Sequence, residues 1–160
     1  MANSSFEGKV DILQGSASGL TATGHQQWTR DQLTGILFTD STSFGSELAV
    51  GDFDGDGYDD LIIRASNQPF FNPGFWVGEL HALYGSSNGL STVGQQTWTQ
   101  ATLGESNEKG DSFGYSLGVQ DYNGDCYDDL AIGAKGEDLN GVTDAGVVHV
   151  VYGSQNGLVL

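Results

Sequence analysis

Positive charge is what this chain most conspicuously lacks. Its 160 residues hold 5 lysines and arginines against 21 aspartates and glutamates, a formal net charge of −16. A surface of that sign repels polyanions, so nucleic acid is excluded as a partner and anionic membranes are disfavoured. A single cysteine, Cys126, leaves no intramolecular disulfide to form and diagnoses no redox compartment. The glycines follow no three-residue period and there are only 2 prolines, which excludes a collagen-like chain. No apolar run approaches the ~18–20 residues of a membrane-spanning helix, so no membrane insertion is expected. The opening MANSSFEGKV has no apolar signal core, so an export signal, where one is used, is expected outside these residues. No stretch carries a convincing amphipathic helical period either.

What is abundant is glycine, at 25 residues, together with 11% aromatics in short alternating runs. The length is enough for one domain with a real core, and the chain repeats itself. GSASGL at 15–20, GSSNGL at 85–90 and GSQNGL at 153–158 recur at spacings of 70 and 68. GHQQWT at 24–29 returns as GQQTWT at 94–99, and GELHALYG at 78–85 as GVVHVVYG at 146–153, with GKVDILQG at 8–15 as a fainter copy. SFGSELAVGDFDGDGYDDLII at 43–63 returns as SFGYSLGVQDYNGDCYDDLAI at 112–132. Apolar and polar residues alternate over five to seven positions between Gly, Asn and Asp boundaries, which predicts four short strands per unit. They fall at about 45–51, 59–65 and 78–84, then at about 114–120, 128–134 and 146–152; a fourth strand carries Trp28 or Trp98. The expected fold is all-β: four-stranded antiparallel β-propeller blades, about two plus a partial one.

Nine of the 21 acids lie in two loops, Asp52–Asp60 and Asp121–Asp129. That concentration points to a cation rather than to a uniformly acidic coat. Calcium wants six to eight oxygens at ~2.3–2.6 Å. In the first loop, alternate positions bring Asp52, Asp54 and Asp56 toward one centre, with the Tyr58 carbonyl and Asp60 completing the set. The second loop offers Asp121, Asn123, Asp125, the Tyr127 carbonyl and Asp129 at the same spacing. Asp59 and Asp128 fall between ligand positions and are expected to face outward or to cap backbone groups. An EF-hand needs a bidentate acid at its twelfth position; here that position is Ile63 or Ile132, which favours a strand–loop–strand site. An acidic turn that binds nothing is the competing interpretation. Magnesium keeps more water than this ligand set leaves, and no Cys/His set supports zinc. Cys126 replaces the glycine that Gly57 supplies in the first loop, where a positive φ is expected, so weaker calcium binding is expected in the second.

The order FG, small-residue strand, DxDGDGxxD, DLxIGA and a strand ending in YGS-x-x-GL resembles the FG-GAP repeat, the blade unit of the integrin alpha-subunit propeller, of related bacterial secreted proteins and of some fungal lectins. The resemblance covers almost the whole of a single segment, 1–160: the tail of one repeat at 8–30, a full repeat at 44–100 and most of another at 113–158. The GAP element is degenerate, standing as Arg64-Ala65-Ser66 and Gly133-Ala134-Lys135. The resemblance implies hairpin Ca²⁺ sites in both loops, an extracellular or secreted protein and a non-catalytic role in adhesion or ligand binding. A sugar-binding lectin, an accessory module of a larger secreted protein and an assembly scaffold remain open alternatives. Hydrolase chemistry has little support, because no nucleophile elbow is present and the paired acids already serve the loops.

His81 and His149 recur at one repeat position, as do Trp28 with Trp98 and Phe44 with Phe113; repetition suggests structural slots. What does not recur is NQPFFNPGFW at 67–76, with both prolines and four aromatics. Phe70, Phe71, Phe75 and Trp76 are candidates for a protein or carbohydrate ligand platform, or for a patch buried against a neighbouring subunit. NSS at 3–5 fits a glycosylation acceptor. Two blades alone leave open faces and strand edges, so a homo-oligomer that completes a propeller is expected, with three copies giving about six blades as the simplest arithmetic.

Overall fold

The structure is a computed structural model, and it describes residues 8–35, 43–67 and 77–160. Phe70, Phe71, Phe75 and Trp76, and the Asn3–Ser5 acceptor, lie outside the described residues. The chain forms three antiparallel sheets. β1 (Lys9–Ser16) and β2 (Gly19–Thr29) make a two-stranded sheet. β3 (Leu48–Gly51), β4 (Asp60–Asn67), β5 (Val77–Tyr84) and β6 (Ser91–Trp98) make a four-stranded sheet in sequence order. β7 (Ser116–Gln120), β8 (Asp129–Ala134) and β9 (Val147–Val151) make a three-stranded sheet. These are partial propeller blades, and among the described residues only the middle one has all four strands.

Among the described residues, two short helical turns interrupt the strands of a fold that is all-β as expected. A five-residue helix, α1 (Arg30–Thr34), follows β2, and a 3₁₀ turn over Gln100–Leu103 follows β6. Both come directly after the Trp-Thr pair of a repeat, and neither is long enough to show a helical period in the sequence.

Strand alternation decides the packing. On β4, Leu61, Ile63 and Ala65 face the first sheet and join Val10, Leu33, Phe44 and Leu83 in one buried cluster. Ile62 faces the other way, where Leu80, Ala82, Tyr84 and Trp98 meet Phe53, Phe113, Leu130, Ile132 and Val151 of the third sheet's side. The middle blade is therefore buried on both faces, which is why β4 reads as a continuous apolar strip. Phe44 and Phe113 are 5% and 0% exposed, one in each interface. The recurring GS-x-x-GL segments are turns of one design. The hydroxyls of Ser16, Ser86 and Ser154 donate to the carbonyls of Gly19, Gly89 and Gly157 at 2.6, 2.8 and 2.7 Å.

Candidate metal centre

The first acidic loop joins β3 to β4, and its geometry follows from short-range capping. The amides of Asp56 and Tyr58 donate to the carboxylates of Asp54 and Asp56 two residues back, at 3.1 and 2.8 Å, and the Gly57 amide donates to Asp52 at 3.0 Å. Asp-centred turns of this kind curl the loop around its own side chains. The result brings Asp52, Asp54 and Asp60 together, with one carboxylate oxygen from each lying within 4.8 Å of the others. Oxygens on a sphere of ~2.4 Å radius are at most about 4.8 Å apart, so this spread suits calcium. Asp56, expected as a fourth carboxylate, stands outside that trio, with its Oδ1 taken by the Tyr58 amide.

Asp60 does more than the sequence indicated. It is 1% exposed, and its two oxygens accept from the Phe53 amide at 2.8 Å and the Gly85 amide at 2.8 Å. It thus clamps the loop to the end of β5. Burial pushes its carboxyl up to about 6, the two amides pull against that, and the charges of Asp54 and Asp52 add to the rise. Asp54 is also raised, by burial first and then by repulsion from Asp56 and Asp52. Asp52 Oδ1 is buried with no hydrogen-bond partner. A buried acceptor left bare beside two other carboxylates is costly unless a cation or donor meets it. The residues present therefore fit a hard divalent cation.

The second loop, between β7 and β8, has the same sequence spacing and a different balance. Asp129 repeats the clamp, accepting from the amides of Tyr122 at 2.8 Å and Gly153 at 2.9 Å, and is fully buried. Asp121, however, accepts from three amides, those of Gly124, Asp125 and Cys126, at 2.6, 3.1 and 2.9 Å. These amides, Cys126 foremost, hold its carboxyl below the usual range. Asn123 stands where the first loop has Asp54, and its side chain donates to Asp125 at 3.0 Å and accepts from the Asp125 amide at 2.9 Å. Tyr127 donates its amide to Asp125 at 3.0 Å. The second loop thus meets much of its own charge with backbone donors. Cys126 has φ 73 and is exposed, so it occupies a left-handed position that glycine fills without strain.

The two loops also differ in what lies beside them. Asp128 accepts from the Asp52 amide at 3.0 Å, and its own amide donates to the Asp52 carbonyl at 3.1 Å. Asp128 caps a backbone group as expected, but on the neighbouring blade. The first loop is thereby stitched to the third sheet, and the Ser154 amide adds a bond to the Phe53 carbonyl at 3.1 Å.

Other charged residues that sequence reasoning missed lie between the blades. Arg30, 1% exposed, donates to Glu79 at 2.8 Å, and His81 Nε2 lies 2.6 Å from the other Glu79 oxygen. Burial would raise the Glu79 carboxyl, yet His81 and Arg30 outweigh it and hold it low. A charge in the middle of an otherwise apolar β5, where the next repeat has Val147, was the available signal. His149, at the repeat-equivalent position, lies 3.1 Å from Glu105.

Adjacent antiparallel sheets, two of them with an acidic hairpin between their first two strands, are the mark of a β-propeller blade repeat. Residues 44–75 and 113–151 match the FG-GAP repeat. The chain is an FG-GAP repeat protein. It is 33% identical over 114 residues to mouse phosphatidylinositol-glycan-specific phospholipase D, a match covering 71% of this chain and 13% of that protein. It is 34% identical over 118 residues to Drosophila integrin alpha-PS2, covering 71% and 8%, and 32% identical over 120 residues to human integrin alpha-6, covering 74% and 9%. The chain thus spans 13% or less of the length of these relatives. Among the described residues, no helix is long and apolar enough to cross a membrane.

Proposed function

We propose that this chain is a calcium-binding, non-catalytic FG-GAP propeller module, extracellular, that serves adhesion or ligand binding. The observation that carries this is the trio Asp52, Asp54 and Asp60, with the buried, unpartnered Asp52 Oδ1 among them. Calcium held there by Asp52, Asp54 and Asp60 supplies positive charge to carboxylates that otherwise repel, and so rigidifies the β3–β4 hairpin. Asp121, Asn123, Asp125 and Asp129 offer a second, weaker site on the β7–β8 hairpin. The role is structural: a cation that binds only the folded form stabilises it by mass action, and extracellular calcium modules commonly bind at about 10⁻⁴–10⁻³ M. A non-catalytic role agrees with the match to phospholipase D, which is confined to a small part of that enzyme.

Calorimetric titration of the chelated chain with CaCl₂ tests this. Two unequal sites are expected, the tighter lost in Asp54→Ala and the weaker in Asp121→Ala. Heats that are absent, or equal at the two sites, would contradict the assignment.

A further inference from the structure

The two seams between sheets share one slot and fill it differently. β5 ends in Tyr84, and β1 has Gln14 at the matching position. The strand pairing around the two residues is the same. Ile12 pairs with Gln26 and Gln14 with Thr21, as Ala82 pairs with Gln96 and Tyr84 with Ser91, each with an irregularity between. A Cβ added to Gly24 would meet Gln14 Cγ at 3.6 Å, and one added to Gly94 would meet Tyr84 Cδ2 at 3.8 Å. Both side chains therefore leave their strand over the same hairpin glycine.

Tyr84 occupies its slot, at 8% exposure. Its ring covers Gly157, where an added Cβ would stand 2.1 Å from the hydroxyl. That hydroxyl donates to Gln96 Oε1 at 2.5 Å and accepts from the Leu158 amide at 3.0 Å. Gln96 grips Leu158 at both its carbonyl, 3.0 Å, and its amide, 3.1 Å. The first seam keeps these partners and loses the ring. Gln26 grips Leu90 in the same two ways, at 2.9 and 2.9 Å. Over Gly89, the counterpart of Gly157, an added Cβ would find the Gln26 side chain as its three nearest atoms, and nothing of Gln14. A cavity of 170 Å³ lies there, lined by residues that include Ile12, Gln14, Gln26, Tyr58, Gly89 and Leu90. An apolar cavity of about 150 Å³ is enough to take up benzene.

We infer that this cavity is a binding site for a para-substituted phenol, whose ring takes the place that Tyr84 fills in the next seam. The ring rests over Gly89 against Ile12 and Leu90. Its hydroxyl donates to Gln26 Oε1, which has a second lone pair beyond the one used by the Leu90 amide, and accepts from that amide. The para substituent leaves past Gln14, whose half-buried side chain borders the cavity. Asp59 stands exposed at the rim, and with the chain's net charge of −16 it selects against a carboxylate on the ligand. A free phenol and the tyrosine side chain of a peptide carry the same chemistry. Asp52, Asp54 and Asp60 do not line the cavity, so this inference stands apart from the calcium assignment.

The test uses the full chain, ¹⁵N-labelled and in calcium, titrated to millimolar concentration with p-cresol, which is the tyrosine side chain itself. Shifts are expected at the amides of Ile12, Gly89 and Leu90 and at the side-chain amide of Gln26, with none at Gln96 or Leu158. Toluene, which lacks the hydroxyl, should bind about fivefold more weakly or worse. Gln14→Tyr places a ring in the slot and should abolish the shifts, whereas Gln14→Ala leaves the slot open and should keep them. N-acetyltyrosinamide binding at the same amides would assign the slot to a peptide's tyrosine, and binding of p-cresol alone to a free phenol. No shifts at these amides, equal binding of toluene, shifts that persist in folded Gln14→Tyr, or their loss in folded Gln14→Ala would overturn the proposal. Should Gln14→Tyr not fold, toluene and Gln14→Ala still decide.

Discussion

Protons and calcium should compete for the first loop. In the metal-free protein the Asp60 carboxyl titrates at about 6, against an ordinary 3.8, chiefly because it is buried. The folded form therefore holds this proton over a pH range in which the unfolded form has already released it. The contribution of this group to stability is greatest below 3.8 and falls as pH rises toward 6; the 2.2-unit difference (6 − 3.8) corresponds to about 3 kcal/mol. Calcium requires the ionised carboxylate, so it must displace the proton below pH 6. The carboxylate is about 90% ionised at pH 7 and about 9% at pH 5, a loss of about tenfold in apparent affinity. With calcium well above its dissociation constant, that tenfold removes about 1.4 kcal/mol of stabilisation, or about 3–6 °C of melting temperature in a chain of this size. Scanning calorimetry with and without calcium at both pH values reads the difference. Titration in buffers of different ionisation enthalpy should show close to one proton released per calcium bound at pH 5. An affinity that is flat from pH 7 to pH 5 would refute the reasoning.

Relieving the left-handed strain at Cys126 by Cys126→Gly should stabilise the fold by about 1 kcal/mol, raising the melting temperature by about 2–4 °C. Gly78→Ala places a Cβ 1.8 Å from the Phe113 carbonyl oxygen, so the blades must part, at a cost of about 3 kcal/mol or more in urea unfolding. Gly15→Ala meets nothing within 4 Å and should stay within about 0.5 kcal/mol in the same assay. Arg30→Ala leaves the half-buried Glu79 without its cation and should destabilise by about 3–5 kcal/mol. An unfolding curve unchanged from the parent would show that His81 alone neutralises Glu79.

The fold was legible because the chain states its unit more than once. A serine at the start of each GS-x-x-GL turn bonds the glycine three residues on, and this local chemistry is printed in the residue types. Strand alternation likewise placed a strand at about 59–65, where β4 runs. The acidic turns were legible for the same local reason, since an aspartate capping an amide two residues ahead needs no distant partner. What could not be seen were bonds closed by remote backbone. Asp60 reaches Gly85 25 residues away, and Asp128 reaches Asp52 76 residues away. Neither distance leaves a periodic trace. The Arg30–Glu79–His81 cluster was missed because Arg30 and Glu79 do not recur, and repetition was the guide.

The same dependence on neighbours explains why two loops of equal spacing meet their carboxylates differently. In the first, the Asp52 amide is taken by Asp128 of the adjoining blade, and Oδ1 of Asp52 is buried without a partner. Its carboxylate is left to face Asp54 and Asp60. The second loop has no blade beside it among the described residues, and Asp121 turns instead to the amides of Gly124, Asp125 and Cys126. A carboxylate held by three donors gains less from a cation than one with a single donor and a buried, unpartnered oxygen. The demand for a metal is thus set by the seam between blades as much as by the DxDGDGxxD spacing.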